Sequence, residues 1–530
     1  MFTSATFRRV LCFSVFCFFL TNCRQRLSDA DFVFLNGSEP QSLDPAIVSG
    51  QLETRLCNAL FEGLTARDAD GVARPAVAES WQVSEDGLLY TFSIRSHARW
   101  SNGEPVTAFD FERSWRRVLE PATASRYAEI MFFIKNAEDY HAGRLKDFSQ
   151  VGVHALDERT LQVDLESPTI FFPDVLAFTT YLPVHTPTVK QYSDRWTRPG
   201  KMVSNGAYVL KKWRVNDRIR FEKNPHYWRQ ETVAFRSIDV LTVSKASTAF
   251  NLYSTGQADL ILDKGLIPCT LIGELRMRPD FHANPFLATY FYRFNTTKPP
   301  LNDSRVRKAL ALAVDKQRLV KKIAKAGELP ASSFTPPGIP GYEPPVGLAY
   351  DPKKARELLA EAGFPHGNGF PRLSLLYNKT ELNEQIATEI QAMWQEELGI
   401  HVELRNQEWA TYLRSLNELD YDIARSSWVG DYNDPNTFLD CFLTDRGNNR
   451  TGWSNARYDQ LMKRASKESA AAARFALMRQ AEIILAQDEL PILPLYFFTG
   501  VNFYDGKKLG GIQPNVVDEH PLRAMYWKNK

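Results

Sequence analysis

The sequence predicts an α/β fold, because strand-like and helix-like stretches alternate in the C-terminal half. Residues 373–376 form a short apolar run typical of a buried strand. Residues 382–398 then place apolar side chains three and four residues apart, and residues 400–404 alternate apolar with polar. Strand, helix and strand in this order build parallel sheets. We therefore expect a parallel sheet with helices packed on it.

A further helix is predicted just before this unit. Asp351 is a typical N-cap, Pro352 suits the first helical position, and Gly363 offers a C-terminal stop. The apolar residues between these signals share one face: Ala355, Leu358, Leu359 and Ala362.

Shorter strands are predicted elsewhere from period-two alternation. They cover residues 90–94, 161–165 and 421–425. The last of these leads into residues 426–435. In open α/β sheets, ligands bind beyond the carboxyl ends of strands, so this segment is a candidate binding region.

The chain is long and nearly neutral. Its 530 residues suggest two or three domains, and 44% hydrophobic with 24% charged residues is typical of a soluble folded protein. There are 64 basic and 62 acidic side chains. This balance argues against a nucleic-acid partner, which requires a basic surface.

The first residues predict export. A basic start is followed by uncharged residues 10–23, so residues 1–22 are predicted to be a secretory signal. The uncharged stretch is shorter than the ~20 residues that a membrane-spanning helix needs. It ends in Leu20-Thr21-Asn22-Cys23, which resembles a lipoprotein signal. We expect a lipid on Cys23 that anchors the protein to a membrane; the alternative is a cleaved signal with an incidental cysteine.

The remaining cysteines and histidines predict neither a disulfide framework nor a metal site. Cys57, Cys269 and Cys441 are odd in number and lie too far apart for a zinc motif, so at least one buried free thiol is expected. The nine histidines include no pair at helical spacing. We expect no metal and no cofactor.

Common catalytic motifs are missing too. The sequence has no Gly-x-Ser-x-Gly elbow, no His-Glu-x-x-His pair and no Walker-type phosphate loop. We therefore expect a protein that is not an enzyme, with an extracytoplasmic hydrolase as the rival class.

A family resemblance begins after the strand at residues 421–425. Trp428-Val429-Gly430-Asp431-Tyr432-Asn433-Asp434-Pro435 resembles the W-x-x-D-Y-N-[ED]-P segment of bacterial oligopeptide-binding proteins, the family 5 receptors of peptide ABC importers. Other similar segments follow the family order along the chain: Gln41-Ser42-Leu43-Asp44-Pro45, Phe61-Glu62-Gly63-Leu64, Trp100-Ser101-Asn102-Gly103, Asn205-Gly206-Ala207-Tyr208, Asn406-Gln407-Glu408-Trp409 and Pro494-Leu495-Tyr496.

This resemblance implies a two-lobed periplasmic-binding-protein fold that encloses its ligand by hinge closure. Lobe one is expected at residues 23–53, 174–284 and 495–530. An extra domain is expected as an insertion at residues 54–173, and lobe two at residues 285–494. A monomer that docks on the permease subunits of an ABC transporter is implied.

The resemblance assigns the two charged ends of a peptide to two side chains. Asp431 matches the family carboxylate that pairs with the α-ammonium group; the alternative from the residues alone is an Asx turn before Pro435. Arg425 matches an arginine associated with the C-terminal carboxylate, and its alternative is a structural salt bridge. Asn383 stands where a relative has a histidine used for the same carboxylate.

Other site residues are implied by position. Aromatic pocket walls are expected from Trp409, Trp428, Tyr127 and Phe498, with ordinary core packing as the alternative. Main-chain pairing with the peptide is expected around Ser427 and around Ala288 and Tyr290, as in strand addition.

The favoured function is an oligopeptide receptor for an ABC importer. A second hypothesis keeps the fold but changes the cargo to a cell-wall peptide, a dipeptide or a metal chelate. The hydrolase is the third hypothesis.

Overall fold

The computed structural model describes residues 26–48, 50–445 and 448–528. The predicted signal at residues 1–22 and the predicted lipid site at Cys23 lie outside the described residues.

The strands run from β1 to β19 in chain order: β1 (Phe32–Gly37), β2 (Thr65–Arg67), β3 (Ala73–Pro75), β4 (Ala78–Val83), β5 (Leu89–Ile94), β6 (Val153–Ala155), β7 (Thr160–Asp164), β8 (Tyr208–Arg214), β9 (Arg218–Lys223), β10 (Ser237–Thr242), β11 (Leu260–Ile261), β12 (Phe281–Phe294), β13 (Leu329–Pro330), β14 (Leu373–Asn378), β15 (Val402–Gln407), β16 (Ile423–Val429), β17 (Ile492–Tyr504), β18 (Leu509–Gly510) and β19 (Tyr526–Trp527).

The helices run from α1 to α15: α1 (Gln51–Leu60), α2 (Ala108–Leu119), α3 (Ala137–His141), α4 (Phe172–Val175), α5 (Thr186–Tyr192), α6 (Ala246–Ser254), α7 (Ile272–Leu275), α8 (Ser304–Leu312), α9 (Lys316–Leu319), α10 (Pro352–Glu361), α11 (Glu381–Leu398), α12 (Trp409–Asn417), α13 (Asn436–Leu439), α14 (Ala456–Ala465) and α15 (Ala471–Ile483).

The largest sheet has the strand order β15-β14-β16-β12-β17-β11-β1-β10-β9-β8. Two long antiparallel strands, β12 and β17, occupy its centre and connect the two flanking groups. On one side β14 is parallel to β15 and β16, and on the other β1 is parallel to β10 and β11. The predicted α/β class is confirmed by this arrangement, although the sheet combines parallel pairs with the antiparallel pairs of β12 and is not purely parallel.

The predicted strand-helix-strand unit is confirmed as β14, α11 and β15. α11 ends at Gly399, whose φ of 70° is the left-handed conformation that glycine adopts without strain. The helix before it begins as predicted, because the Asp351 side chain accepts a hydrogen bond from the Lys354 amide.

The strand predicted at residues 421–425 is displaced. β16 starts at Ile423 and continues to Val429, because its antiparallel ladder with β12 extends that far. Arg425 therefore lies inside the strand and not at its end, and residues 426–429 belong to the strand instead of the loop beyond it.

A separate antiparallel sheet, β4-β5-β7-β6, lies within residues 54–173. The strands predicted at residues 90–94 and 161–165 are its members β5 and β7. Its buried side chains, Phe92 among them, join one hydrophobic core with Phe34 of β1. The lobe and insertion boundaries stay a prediction.

Candidate functional site

Two adjoining cavities form a groove along β16. The first has a volume of about 340 Å³ and the second about 660 Å³. Gln51, Ser427, Val429 and Asp518 line both cavities, so the groove is continuous past these residues.

The backbone edge of β16 faces this groove. Gly430 donates its N–H to Leu287 at 2.8 Å, and Val429 and Ser427 are opposite Ala288 and Tyr290 in the ladder. Antiparallel residues alternate between pairs that exchange hydrogen bonds and pairs that do not. Ser427 and Val429 therefore direct their N–H and C=O groups away from β12.

No neighbouring strand covers that edge within the described residues. β14 pairs with β16 at Ile423 and Ala424, and this ladder ends before Ser427. The carbonyl of Arg425 points to the same edge and accepts a hydrogen bond from the Tyr412 hydroxyl. The backbone at Ser427 and Val429 can therefore pair with an extended ligand chain.

Asp431 lines the first cavity, two residues beyond the end of β16 at Val429. Its carboxylate accepts a hydrogen bond from Tyr127, whose ring stacks on Phe178 with centroids 5.2 Å apart. The alternative for Asp431 was an Asx turn before Pro435. In the structure Asp434 makes the Asx turn, because its side chain accepts a hydrogen bond from the Asn436 amide. The sequence-predicted residues Asp431 and Tyr127 are thus brought together.

The surroundings make the Asp431 carboxylate costly to ionise. Burial and, to a smaller extent, the nearby charge of Asp440 raise its pKa to about 7, although Arg67 and the hydrogen bond from Tyr127 act in the opposite direction. The charge of Asp431 in turn raises the pKa of Tyr127 well above its usual value, so the phenol remains a donor. A cation placed at Asp431 would relieve this cost.

Arg67 is a site residue that the sequence analysis missed. Its buried guanidinium donates to the backbone carbonyl of Asp431 at 2.9 Å, to Glu519 at 2.8 Å and to Asp174 at 3.3 Å. Burial alone would lower the pKa of Arg67, but the two carboxylates raise it above its usual value. Because Asp174 and Glu519 lie 107 and 452 residues away in sequence, no local pattern signals this cluster.

Arg425 lines the second cavity, toward the opposite end of the groove. It donates to the side chain of Asn378 at 3.3 Å, and its guanidinium lies 4.6 Å from the centre of the Tyr290 ring. Its buried Nε has no hydrogen-bond partner, and among the described residues no carboxylate forms an ion pair with it. The predicted alternative, a structural salt bridge, is therefore absent from this part of the chain.

Asn383 lies one layer behind the groove. Its side chain donates to the carbonyl and the side chain of Asn378, each at 3.0 Å, and accepts from the Tyr290 hydroxyl at 3.0 Å. Only 3% of Asn383 is exposed. It orients the two residues that contact Arg425 and does not itself face the cavities.

The predicted aromatic residues separate into two groups. Trp428 lines the first cavity, with its indole N–H donated to the carbonyl of Thr437, and Phe498 lines the second. Trp409 lines neither cavity; it is 52% exposed and stacks on Tyr412. Trp409 therefore supports the residue that holds the Arg425 carbonyl.

The backbone expected at Ala288 and Tyr290 is not available for a ligand. β12 lies between β16 and β17, and Tyr290 is paired on both sides. Both residues are fully buried. Of the two predicted backbone segments, only the one in β16 faces the groove, because β12 is a central strand.

Two further predictions concern cysteine thiols and metal ligands. Cys57 and Cys441 are buried free thiols, which confirms that prediction. Across the described ranges, no cluster of three or more His, Cys, Asp or Glu side chains is arranged to hold a metal ion. In the same ranges every helix is too short or too polar to span a bilayer.

Comparison with known proteins decides the family. The family description "bacterial extracellular solute-binding proteins, family 5 middle" matches residues 73–450. The chain is also 37% identical over 504 residues to the periplasmic oligopeptide-binding protein OppA of Salmonella typhimurium, covering 93% of this chain and 91% of the relative. The chain belongs to solute-binding family 5. Members of this family are solute-binding receptors.

A solved structure supports the same assignment. The family 5 chain aligns with a periplasmic oligopeptide-binding protein, OppAIV, from Borrelia burgdorferi with a TM-score of 0.83 and 33% identity. The alignment covers 94% of this chain and 99% of that one. The resemblance found in the sequence motifs is confirmed over nearly the whole chain.

Overall identity does not decide the ligand of this family 5 protein. The chain is 37% identical over 478 residues to YgiS of Escherichia coli, named a probable deoxycholate-binding periplasmic protein, covering 88% of each chain. Relatives of equal identity thus carry names with chemically different ligands. The ligand must be argued from the groove.

Proposed function

We propose that this family 5 protein is an extracytoplasmic receptor that encloses an oligopeptide in the groove and delivers it to an ABC importer. The observation that carries the proposal is the placement of Asp431 and Arg425 at the two ends of one free strand edge. An oligopeptide has one positive end, one negative end and a hydrogen-bonding backbone between them. The groove offers a partner for each.

The amino terminus pairs with Asp431. A buried ammonium group needs a carboxylate to replace its lost hydration. The Asp431 carboxylate has itself lost hydration through burial, which raises its pKa, so a cationic partner would stabilise its charged form. The hydrogen bond from Tyr127, which lines the same cavity, helps to hold this carboxylate in place.

The carboxyl terminus pairs with Arg425. Its guanidinium contacts Asn378 and Tyr290, while its Nε lacks a hydrogen-bond partner. The guanidinium can therefore bind a carboxylate by donating two parallel hydrogen bonds. Lysine in its place would lack this planar pair of donors.

The backbone of the peptide pairs with Ser427 and Val429. Main-chain pairing is independent of side chains, so it suits a receptor for peptides of varied sequence. Asp431 follows Arg425 by six positions, which corresponds to roughly 20 Å of extended chain. A ligand of about four to six residues fits this span.

Release and capture require that the groove opens. We propose that lobe two, residues 285–494, moves against residues 23–53, 174–284 and 495–530, with residues 54–173 carried by the latter. β12 and β17 cross between the two groups, and their pairing is irregular between Pro285 and Thr289, which supports a hinge at this point.

The remaining parts of the proposal concern location and partners. The protein acts as a monomer outside the cytoplasmic membrane, docks on the permease subunits, and is held at the membrane by a lipid on Cys23. The OppA relative from Salmonella typhimurium is named a periplasmic protein, which supports this location. The receptor carries out no catalysis and needs no cofactor.

Two measurements test the function. Native mass spectrometry of protein purified without denaturation should reveal a mixture of bound peptides; one defined molecule would favour a cell-wall peptide, dipeptide or chelate as cargo. Calorimetry should show that N-acetylated peptides bind far more weakly than free ones. Equal affinities would refute the pairing with Asp431, and turnover of a chromogenic ester would favour the hydrolase.

A further inference from the structure

Asp518 lies at the middle of the groove. It lines both cavities, as the β16 residues Ser427 and Val429 do, so it belongs to the section where the two cavities meet. Asp431 lines only the first cavity and Arg425 only the second. A peptide held at these two ends would therefore place its interior residues beside Asp518.

The position of the Asp518 side chain is fixed by its neighbours. Its carboxylate accepts a hydrogen bond from the Asn502 side-chain amide at 3.0 Å, and the Nε2 atom of His520 lies 3.1 Å from the same oxygen. Both neighbours are buried. The carboxylate also lies against Gly500, where an added Cβ atom would come within 2.7 Å of it. A larger residue at position 500 would displace this carboxylate, so the glycine makes room for it.

The Asp518 carboxylate has no strongly basic partner. In the described ranges neither an arginine nor a lysine forms an ion pair with it; its ion-pair contact is with His520, which is charged only when protonated. The Asp518 side chain is 13% exposed. Since the residue lines both cavities, a ligand in the groove has access to this carboxylate.

The charges that line the groove favour a basic side chain in its interior. Arg425 and Asp431 are assigned to the peptide ends, and Arg67 and Lys264 are each paired with a glutamate. The other lysine, arginine, aspartate and glutamate residues outside these pairs that line the two cavities are one cation and three anions: Arg55, Asp263, Glu381 and Asp518. A cation in this section of the groove therefore complements its surroundings better than an anion does.

We propose that Asp518 is a specificity-determining residue, which favours peptides with a lysine or arginine side chain at one interior position. This inference rests on the proposed function and adds a side-chain preference that main-chain pairing does not supply. A cationic side chain gains a charge-assisted hydrogen bond at Asp518. Neighbouring residues of an extended chain direct their side chains to opposite faces, so only every second ligand position can reach Asp518.

The test compares tetrapeptides by calorimetry. Each contains alanine except for one lysine, placed at the second or the third position. The matched peptide has norleucine instead of lysine, which keeps the aliphatic chain without the ammonium group. In the wild type one of the two lysine peptides should bind about tenfold more tightly than its norleucine match, because only one interior side chain faces Asp518. The other lysine peptide should bind like its norleucine match.

Asp518→Asn should abolish this preference and leave the affinity for the norleucine peptides nearly unchanged, because asparagine keeps the size of the side chain and removes its charge. Asp505→Asn is the matched control and should preserve the preference. Asp505 follows the end of β17, has a side chain that is 46% exposed and lines neither groove cavity. If Asp518→Asn does not fold, the wild type decides alone: glutamate at the same ligand position should bind about tenfold more weakly than glutamine.

Three results would overturn the inference while leaving the proposed function intact. They are peptide binding without any preference for lysine, a preference that persists in Asp518→Asn, and an equal gain at both interior positions, which would indicate the general charge of the groove. If the wild type binds none of these peptides, the proposed function fails and the inference fails with it.

Discussion

Arg67 and Asp431 are joined across the groove by a hydrogen bond of 2.9 Å from the guanidinium to the backbone carbonyl. The same guanidinium holds Asp174 and Glu519, while Asp431 lines the first cavity. One arginine thus fixes the position of the residue to which we assign the peptide ammonium group, without using its carboxylate.

Replacement of Arg67 should destabilise the protein strongly. Arg67→Met leaves Asp174 and Glu519 without their cation, and breaking such a buried cluster typically costs about 3–5 kcal/mol. Because both carboxylates are partly exposed, at 17% and 22%, we expect a loss near the lower limit. Urea unfolding followed by circular dichroism measures it. Arg305→Met, whose ion pair is exposed, should change the unfolding free energy little.

Replacement of Asp431 should abolish tight binding of free peptides. Asp431→Asn removes the charge partner of the ammonium group, and we expect a loss of about 3–5 kcal/mol, or two to four decades in affinity by calorimetry. Binding of N-acetylated peptides should change much less. A uniform loss for both ligands would indicate general damage to the groove.

The same variant should be more heat-stable than the wild type without peptide. The pKa of Asp431 is raised by burial to about 7 in the folded protein, above its usual value of 3.8. Stability is therefore lost as pH rises above the unfolded-state value, and the loss is complete above pH 7. Asparagine carries no such cost, so its melting temperature at pH 8 should exceed that of the wild type, and the gain should vanish near pH 4.

Peptide affinity should fall in mildly acidic solution. Pairing with the ammonium group requires the ionised Asp431, and its pKa of about 7 means that the carboxyl group is mostly protonated below pH 6. Each further unit should weaken binding up to about tenfold. Asp431→Asn should show a flat profile between pH 5 and 8, and an equally flat wild-type profile would contradict the assignment.

Arg425 should distinguish free peptides from C-terminally amidated ones. Arg425→Gln removes the guanidinium that faces the second cavity, so the free acid should lose about ten- to a hundredfold in affinity while the amide changes little. Calorimetry with both ligands on both proteins forms a double-mutant cycle. Additive losses would show that the ligand carboxylate lies elsewhere.

The sequence predicted those parts of the fold that local signals determine. α11 ends at Gly399 and α10 begins at Asp351 because the caps and apolar spacing are contained in a few neighbouring residues. The extent of β16 could not be predicted from neighbouring residues, because it is determined by pairing with β12, more than a hundred residues earlier in the chain. Family motifs did point to Asp431, Arg425 and Tyr127, which line the groove.

The missed features depend on contacts between distant segments. Arg67 has ordinary neighbours in sequence, and only the folded chain brings it to Asp174, Glu519 and Asp431. Asn383 was expected to face the ligand, but the path of β12 places Tyr290 in front of it. The position of a motif shows which residues lie near a site. Which of them line the cavity and which lie behind it depends on the pairing of the strands in the sheet.

The unpaired backbone of β16 has a consequence for the behaviour of the chain in solution. An exposed strand edge readily recruits strands from other molecules and so promotes aggregation. Here the open edge at Ser427 and Val429 lines two cavities whose walls include Arg67 and Phe498, so a strand of a second copy would have to enter these cavities to pair with it. This position therefore limits the pairing of the edge with strands of other molecules.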